Sequence, residues 1–354
     1  MIVAGAGMAG LCAAARARQL GASPSVLEKG NRPGGSMLLS SGVIWRYRSL
    51  EDFRRECPDG VLALQRQIVE RLDDALGWLE SLGAPTVAKK TRNPRTVGWR
   101  FDPRGMTHAL LRRAGDVQTG RGLVPGTGPR PGEPVVLATG GFPVRLARER
   151  GLLLRSNPWS EGDGLDFAAS RGGATSSGLD EFYGRAMPAP PATWGERDFV
   201  DHAQLYGHVA RVVDERGDEI AVAPDDWSES GLVQEIGRRG GTAWYLVAGE
   251  DLARPTPYGT VGEAIARVRA AGGTVEQRDE GLLAVHVAAA VTHTIGGLAI
   301  DERGRVLDGR GEPVEGLYAA GVDAGGVANG GYASGLAAAL VFGLIAAEEA
   351  AGAT

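Results

Sequence analysis

Three glycines near the start of the chain, Gly5, Gly7 and Gly10, have the spacing that lets a backbone approach a pyrophosphate. An apolar strand precedes them and residues 11–20 predict a helix, which is the strand–turn–helix context that this fingerprint requires. The N-terminus of such a helix offers free N–H groups and the positive end of a dipole to a phosphate. Glu28 ends a second apolar strand, where a carboxylate accepts from a ribose hydroxyl. These residues predict a nucleotide site; a glycine-rich packing turn without a ligand is the alternative.

A second glycine-rich segment, residues 316–323, lies near the opposite end of the chain. The two segments together bracket one site that is built from both termini. The nucleotide that suits such a site is FAD, which the chain is expected to bind.

The composition limits the classes of partner. The chain has 354 residues and a formal net charge of −5, and its basic residues are scattered rather than clustered. Nucleic acids and anionic membranes bind clustered basic residues, so neither is an expected partner. The two cysteines, Cys12 and Cys57, provide neither a disulfide framework nor metal-ligand spacing, and no metal site is predicted.

The ends of the chain carry no predicted membrane or export signal. The apolar N-terminus lacks the basic region of a signal peptide. The apolar run 336–347 is too short to span a bilayer and is followed by Glu348 and Glu349. We therefore expect a cytoplasmic protein without a membrane span.

The pattern along the chain predicts an α/β fold, a Rossmann-like FAD-binding domain with an inserted α+β capping domain. The first part of the FAD-binding domain is predicted at residues 1–177, the capping domain at 178–283 and the second part at 284–354. Aromatic residues become more frequent in the middle segment, with proline-rich and acidic turns between them. An insert of this kind usually forms a lid over a ligand-binding cleft.

Nine motifs occur in the order in which one flavoprotein family carries them. They are Gly5-x-Gly7-x-x-Gly10, Glu28-Lys29, Gly34-Gly35-Ser36, Ser40-Ser41-Gly42-Val43-Ile44-Trp45, Ala138-Thr139-Gly140-Gly141-Phe142, Gly162-Asp163-Gly164, His293-Thr294-Ile295-Gly296-Gly297, residues 316–323 and Val341-Phe342-Gly343. The chain outside the insert therefore resembles the family of fumarate reductase, the succinate dehydrogenase flavoprotein subunit and 3-ketosteroid Δ1-dehydrogenase.

The resemblance implies a set of residues that hold FAD. The ribityl–phosphate arm would pass the glycine pair, an aspartate would return to the ribityl hydroxyls, and the closing helix would aim its N-terminus at the flavin N1/O2 edge. The implied residues are Gly5, Gly7, Met8, Ala9, Gly10, Glu28, Lys29, Gly34, Gly35, Ser36, Ser40, Ser41, Gly42, Val43, Ile44, Ala138, Thr139, Gly140, Asp163, Gly321, Val322, Asp323, Ser334, Gly335 and Leu336.

Two absences in the sequence bear on how electrons move. Ser36 stands where the family attaches its flavin to a histidine, so FAD is expected to bind non-covalently. No second glycine fingerprint occurs in the middle of the chain, so a separate electron donor or acceptor is expected instead of a built-in nicotinamide domain.

The chain departs from fumarate reductases where those enzymes bind carboxylates. Gly330 replaces an arginine, Met187 falls where a second histidine would be, and Trp227 lies near the position of the proton-donating arginine. Guanidinium forks are the bidentate partners of carboxylates, so their loss speaks against fumarate or succinate as substrate. Together with Trp45, these positions predict a pocket for a neutral, fairly apolar, carbonyl-bearing small molecule.

Four side chains are candidates for catalysis. Removing hydrogen beside a carbonyl needs a base, a group that polarises the carbonyl and a flavin N5 that accepts hydride. Tyr332 precedes the closing helix and His293 lies in a family motif, while Tyr183 and Tyr206 belong to the insert. Packing roles remain the alternative for each tyrosine, and a structural role for the histidine.

The sequence thus predicts an FAD-dependent oxidoreductase acting on a CH–CH or C=C bond next to a carbonyl. Two alternatives remain: a flavin-dependent oxidase or hydroxylase that uses oxygen, and a flavin-binding redox partner or sensor without turnover.

Overall fold

The computed structural model describes residues 1–123, 132–223, 226–278 and 281–352. Contacts divide the chain into two compact units, the first made of Met1–Phe142, Asn157–Glu181 and His293–Thr354, the second of Pro143–Ser156 and Phe182–Thr292. The second unit begins four residues after the predicted position 178 and ends nine residues after 283, and it also includes a segment that the sequence placed in the first domain.

Helices and strands are interspersed through the described residues. The helices are α1 (Met8–Gln19), α2 (Leu50–Glu56), α3 (Leu62–Ser81), α4 (Pro103–Ala114), α5 (Pro143–Arg150), α6 (Asp163–Ala169), α7 (Ser230–Arg238), α8 (Val261–Ala270) and α9 (Gly335–Gly352). The strands are β1 (Ile2–Ala4), β2 (Ser25–Glu28), β3 (Val43–Tyr47), β4 (Thr86–Ala88), β5 (Thr96–Phe101), β6 (Val117–Thr119), β7 (Val135–Leu137), β8 (Leu153–Leu154), β9 (Phe182–Pro188), β10 (Arg211–Val213), β11 (Thr242–Val247), β12 (Pro255–Thr256), β13 (Gly259–Thr260), β14 (Val275–Gln277), β15 (Leu283–Thr294), β16 (Arg305–Leu307) and β17 (Pro313–Ala319).

A six-stranded sheet forms the centre of the first unit, in the order β16-β17-β7-β1-β2-β6. All its pairs are parallel except the edge pair β16–β17, and Val3 stands in register with Val26 on one side and Val136 on the other. Strands of such a sheet are apolar throughout because both faces are covered. The fold is therefore mixed α/β, with a parallel Rossmann-like sheet.

Antiparallel sheets complete both units. In the first unit, β3, β5 and β4 form a three-stranded sheet. In the second unit, β10, β11, β15 and β14 are antiparallel neighbours, and β8 and β9 also pair with β15. In sequence, helix α7 lies between β10 and β11, and helix α8 precedes β14. Helices and antiparallel strands together are expected for an α+β insert.

The closing helix α9 is a core helix of the first unit. It is 18 residues long with a mean hydropathy of 1.5, and by length and composition it could cross a membrane. However, 61% of it is buried, and helices that form the core of a globular unit have the same composition. Gly343 faces α1, where its missing side chain lets the two helices approach closely.

We predict opposite effects for two helical glycines. A β-carbon on Gly343 would lie 2.6 Å from the carbonyl oxygen of Ala9, whereas one on the exposed Gly77 would meet no atom within 4 Å. Gly343→Ala should therefore lower the free energy of unfolding by about 1–3 kcal/mol, and Gly77→Ala should raise it by up to about 1 kcal/mol. Urea unfolding measures both, and equal stabilisation by the two substitutions would contradict the α1–α9 packing.

Candidate functional site

Two of the three fingerprint glycines are required by packing of the turn between β1 and α1. Gly5 has a φ of +101°, and a β-carbon there would lie 2.1 Å from the carbonyl oxygen of Ala138. A β-carbon on Gly10 would lie 1.9 Å from the carbonyl oxygen of Gly5. These two glycines thus bring the turn close to the end of β7, where the predicted residues 138–140 begin.

The third glycine, Gly7, faces open space. The atom nearest to a β-carbon placed there is Cα of Gly35, at 4.0 Å. Gly7 is the N-cap of α1, whose first turn, including Met8 and Ala9, contains no acidic side chain. The free N–H groups and the dipole of this helix end therefore adjoin a space that a phosphate can enter.

Glu28 connects the two loops on either side of this helix end. Its carboxylate is 8% exposed and accepts from the backbone N–H of Ala6 at 2.8 Å and of Gly30 at 2.7 Å. Each carboxylate oxygen can accept a further bond, so Glu28 retains capacity for a ribose hydroxyl. The neighbouring Lys29 is paired with Glu161 at 2.6 Å and with Asp163 at 3.1 Å.

The predicted residues after β2 also reach the fingerprint turn. Gly34 donates to the carbonyl oxygen of Ala6 at 2.7 Å, and Ser36 accepts from the side-chain amide of Asn157 at 3.0 Å. Asn157 lies outside every motif, so no sequence signal pointed to it. The segment then turns: Ser40 accepts from the N–H of Gly42, the carbonyl oxygen of Ser41 accepts from Arg100, and Val43 and Ile44 begin β3.

Asp323 has a different role from the predicted contact with ribityl hydroxyls. Its carboxylate is fully buried and accepts from the N–H and hydroxyl of Thr139 and from the N–H of Gly141. Burial raises the pKa of Asp323, and the hydrogen bonds with residues 139–141 lower it in part. The carboxylate therefore orders the turn after β7 from within the protein, so its contribution to a cofactor site is positional.

A small, open cleft lies at the N-terminus of α9, and it is called the pocket below. Its walls bring together residues of two motifs with residues at the start of α9. They carry no arginine, lysine or carboxylate: His293, Thr294, Ile295, Gly321, Val322, Ala324, Val327, Ala328, Ala333, Ser334, Gly335 and Ala338. Ser334 caps the helix, since its hydroxyl accepts from the N–H of Ala337, and Leu336 follows in the first turn. The hydroxyl of Thr294 is buried without a partner among the described residues.

His293 is a neutral imidazole at the edge of this pocket. Burial lowers the pKa of His293 from its ordinary value of 6.5. Its Nδ1 lies 3.1 Å from the carbonyl oxygen of Thr294, which fixes the tautomer with the proton on Nδ1. A β-carbon on Gly335 would lie 2.9 Å from Nε2, so this acceptor faces the first residue of α9.

An aromatic cluster stands beside the turn that leads into α9. The rings of Trp45 and Tyr332 are 5.4 Å apart with an edge-on geometry, and Trp45 also contacts Tyr47 at 5.3 Å. The hydroxyl of Tyr47 donates to the carbonyl oxygen of Tyr332 at 2.6 Å. Tyr332 is partly exposed and Trp45 is 7% exposed, so the cluster holds the backbone of the turn in place.

Two residues predicted at the substrate are instead buried in the second unit. Met187 is fully buried in a cluster with Ala203 and Ala290, so it fills a core. Tyr206 is also fully buried; its hydroxyl donates to Gln204 at 2.9 Å, and burial raises its pKa well above the ordinary value. A tyrosine in this position cannot act as a base on a substrate.

The remaining predicted residues are at least partly exposed to solvent. Tyr183 and Trp227 of the second unit are partly exposed, and Gly330 of the first is exposed. The Arg185 guanidinium lies 4.7 Å from the centre of the Tyr183 ring. Their roles stay predictions. No group of three or more His, Cys, Asp or Glu side chains within the described ranges is arranged to hold a metal ion.

The residues of the first unit fit FAD. The open space at Gly7 adjoins a helix N-terminus without acidic side chains, and a second helix N-terminus borders the pocket that contains the unpartnered hydroxyl of Thr294. A β-carbon on Gly321 would lie 2.9 Å from the side chain of Ala9. The segment around Gly7 at one end of the chain and the segment around Gly321 at the other end are therefore adjacent, as one extended dinucleotide requires.

Comparison with known proteins agrees with this geometry. The sequence pattern of the FAD binding domain family matches residues 1–130 and 130–336. The chain belongs to this family. No match was found among curated proteins.

Solved structures with the same fold include three oxidoreductases. The open conformation of a flavocytochrome c3 fumarate reductase superimposes with a TM-score of 0.73 at 21% identity, over 99% of this chain and 78% of that one. A 3-ketosteroid-Δ4-(5α)-dehydrogenase from Rhodococcus jostii RHA1 gives 0.72 at 18% identity, over 99% and 96%. A 3-ketosteroid Δ1-dehydrogenase from Sterolibacterium denitrificans gives 0.71 at 16% identity, over 100% and 99%.

Gly7→Ala should separate cofactor binding from folding. The methyl group meets no protein atom closer than 4.0 Å, so the free energy of unfolding without FAD should change by less than about 1 kcal/mol. The methyl group would enter the space for the pyrophosphate, and the affinity for FAD should fall about tenfold or more. Flavin fluorescence titration measures the affinity, and an unchanged affinity would contradict a pyrophosphate site at Gly7.

His293→Asn should remove one source of acid sensitivity. Because the pKa of His293 is lowered in the folded state, the unfolded chain binds more protons below pH 6.5 and the histidine destabilises the fold there. The free energy of unfolding of the wild type, relative to the variant, should be constant above pH 6.5. It should fall by up to about 1.4 kcal/mol per pH unit below that value. Urea unfolding at pH values from 5 to 8 measures this difference in free energy. A difference that stays constant over the whole range would contradict the burial of a neutral imidazole.

Proposed function

We propose that the protein is an FAD-dependent oxidoreductase that acts on a CH–CH or C=C bond beside the carbonyl group of a neutral, fairly apolar small molecule. The observation that carries this proposal is the pocket at the N-terminus of α9, where the flavin ring would lie: the described walls around the ring and around a substrate beside it contain small and apolar residues and one neutral histidine. Two structural neighbours are dehydrogenases solved with 4-androstene-3,17-dione and 1,4-androstadiene-3,17-dione, which are substances of this kind.

FAD would supply the hydride-accepting and hydride-donating atom, and the chain would supply binding and orientation. Gly7 and the N-terminus of α1 would take the pyrophosphate, and Glu28 the ribose. The N-terminus of α9 would stabilise negative charge at the pocket through its free N–H groups and dipole. Ser36, held by Asn157, offers no imidazole for a covalent link, which supports non-covalent binding.

Tyr332 is the best candidate to exchange a proton with the substrate. It lies on the turn next to the pocket residues Ala333 and Ser334, and its backbone is anchored by the hydroxyl of Tyr47. His293 would not serve as an acid at neutral pH because burial lowers its pKa. It would instead accept a hydrogen bond at Nε2. Electrons would pass to or from a separate carrier.

Anaerobic titration of the flavin-loaded protein tests the proposal. Cyclic ketones should bleach the flavin absorbance, or cyclic enones should reoxidise the reduced flavin, whereas succinate and fumarate should do neither because the pocket offers carboxylates no cation. Tyr332→Phe should slow the reaction about 10²-fold or more without releasing FAD, and Tyr258→Phe, in the second unit, is the matched control.

Three results would contradict the proposal. Bleaching by succinate would show that carboxylates are accepted, and rapid peroxide formation would indicate an oxidase. A protein that takes up FAD but reacts with none of the ketones or enones would be a flavin-binding redox partner.

A further inference from the structure

Trp159 belongs to no motif, yet the structure holds it beside the loop that follows β2. Nδ2 of Asn157 donates to the hydroxyl of Ser36 at 3.0 Å, and Oδ1 of Asn157 accepts from the backbone N–H of Trp159 at 3.0 Å. Two residues further on, Glu161 pairs with Lys29 at 2.6 Å. The chain on both sides of Trp159 is therefore attached to this loop, which fixes the position of the indole.

The indole of Trp159 and the carboxylate of Glu28 meet at Gly30. A β-carbon on Gly30 would lie 2.6 Å from Cε3 of Trp159 and 3.0 Å from Oε1 of Glu28. Gly30 is buried and donates its N–H to the same carboxylate oxygen at 2.7 Å. The two side chains thus lie against the same side of one backbone position. A ribose that binds the carboxylate would have the indole next to it.

The indole of Trp159 retains surface that faces solvent. Trp159 is partly exposed, unlike the tyrosines and phenylalanines that fill the cores of the two units. The guanidinium of Arg32, which is also partly exposed, lies 5.6 Å from the centre of the indole ring. Nucleic-acid bases stack both on aromatic rings and on guanidinium planes. The pair therefore offers two planar surfaces that a purine can use.

The order of these groups in space matches the order of the parts of FAD. Gly7 faces the open space at the N-terminus of α1, which suits a diphosphate. Glu28 accepts from the N–H of Ala6, the residue before Gly7, at 2.8 Å, and it retains capacity for a ribose hydroxyl. Trp159 follows on the far side of Glu28, at Gly30. In the cofactor, diphosphate, ribose and adenine are joined in this sequence, so the adenine would reach the indole.

We propose that Trp159 stacks on the adenine ring of FAD and makes the chain select this dinucleotide over FMN. The inference rests on the FAD site of the proposed function but not on the substrate proposed there. Stacking on an aromatic side chain strengthens the binding of a base by about tenfold or more. FMN lacks the adenosine half of FAD and would gain nothing from this contact.

Three ligands and two variants test the stacking contact. Flavin fluorescence gives the affinities of the cofactor-free protein for FAD and FMN, and displacement of FAD gives the affinity for ADP. Trp159→Leu keeps an apolar side chain against Gly30 but removes the ring. It should bind FAD and ADP about tenfold more weakly than the wild type, whereas its affinity for FMN should not change. Trp159→Phe keeps an aromatic face and should retain most of the affinity for all three ligands.

Trp78 provides the matched control. It is also partly exposed, lies on α3 in the first unit and donates from Nε1 to Gln19 at 2.8 Å, so Trp78→Leu should change none of the three affinities. ADP should quench tryptophan fluorescence in the wild type and in Trp78→Phe, and much less in Trp159→Phe, because the stacked indole is the one that loses emission. Urea unfolding without FAD shows whether the leucine variants fold, and the quenching experiment needs only the conservative phenylalanine variants.

Three results would overturn the inference: unchanged affinity for FAD and ADP in Trp159→Leu, an equal loss of affinity for FAD and FMN in that variant, or ADP quenching that persists in Trp159→Phe. The proposed function fails on different observations. A flavin-loaded protein that reacts with no ketone or enone would overturn the proposed function and leave the adenine contact in place. Bleaching by a ketone, together with unaltered FAD affinity in Trp159→Leu, would overturn the inference alone.

Discussion

The buried carboxylate of Asp323 is the interaction on which the site depends. A charged group without solvent is costly unless donors surround it, and the donors here come from Thr139 and Gly141, far away in sequence. Because β17 and β7 are parallel neighbours, the turns after both strands lie at the same edge of the sheet. Asp323 joins these two turns. This connection also positions the walls of the pocket, because the lining residues 321, 322 and 324 flank the side chain of Asp323.

The sequence predicted the fold and the family because their signals are local. The spacing of Gly5, Gly7 and Gly10 is readable within one strand–turn–helix unit. The structure shows why two of these glycines tolerate no side chain: Gly10 packs on Gly5 within that unit, and Gly5 packs on Ala138. The assignment of residues 143–156 to the second unit was not predictable in this way. That segment joins its unit through the pairing of β8 with β15, which lies more than 130 residues further along the chain.

Burial explains where the prediction of the site was wrong. Met187 and Tyr206 were placed at the substrate by their residue types and by position along a divergent insert, yet both lie in the core of the second unit. Asp323 was identified as important, but the direction of its side chain depends on partners 182 and 184 residues away. Residue type alone does not distinguish a carboxylate that touches a ligand from one that positions the backbone around it.

The turn before α9 is acidic because two carboxylates approach its backbone closely. The small volume of Gly330 leaves room for Asp59 to approach the backbone. The N–H of Gly330 then holds Glu181 in place. A β-carbon at this position would lie 2.6 Å from the carboxylate of Asp59, so the approach of Asp59 depends on the glycine. The pocket, whose described walls carry no charged side chain, and the acidic turn therefore lie next to one another in the first unit.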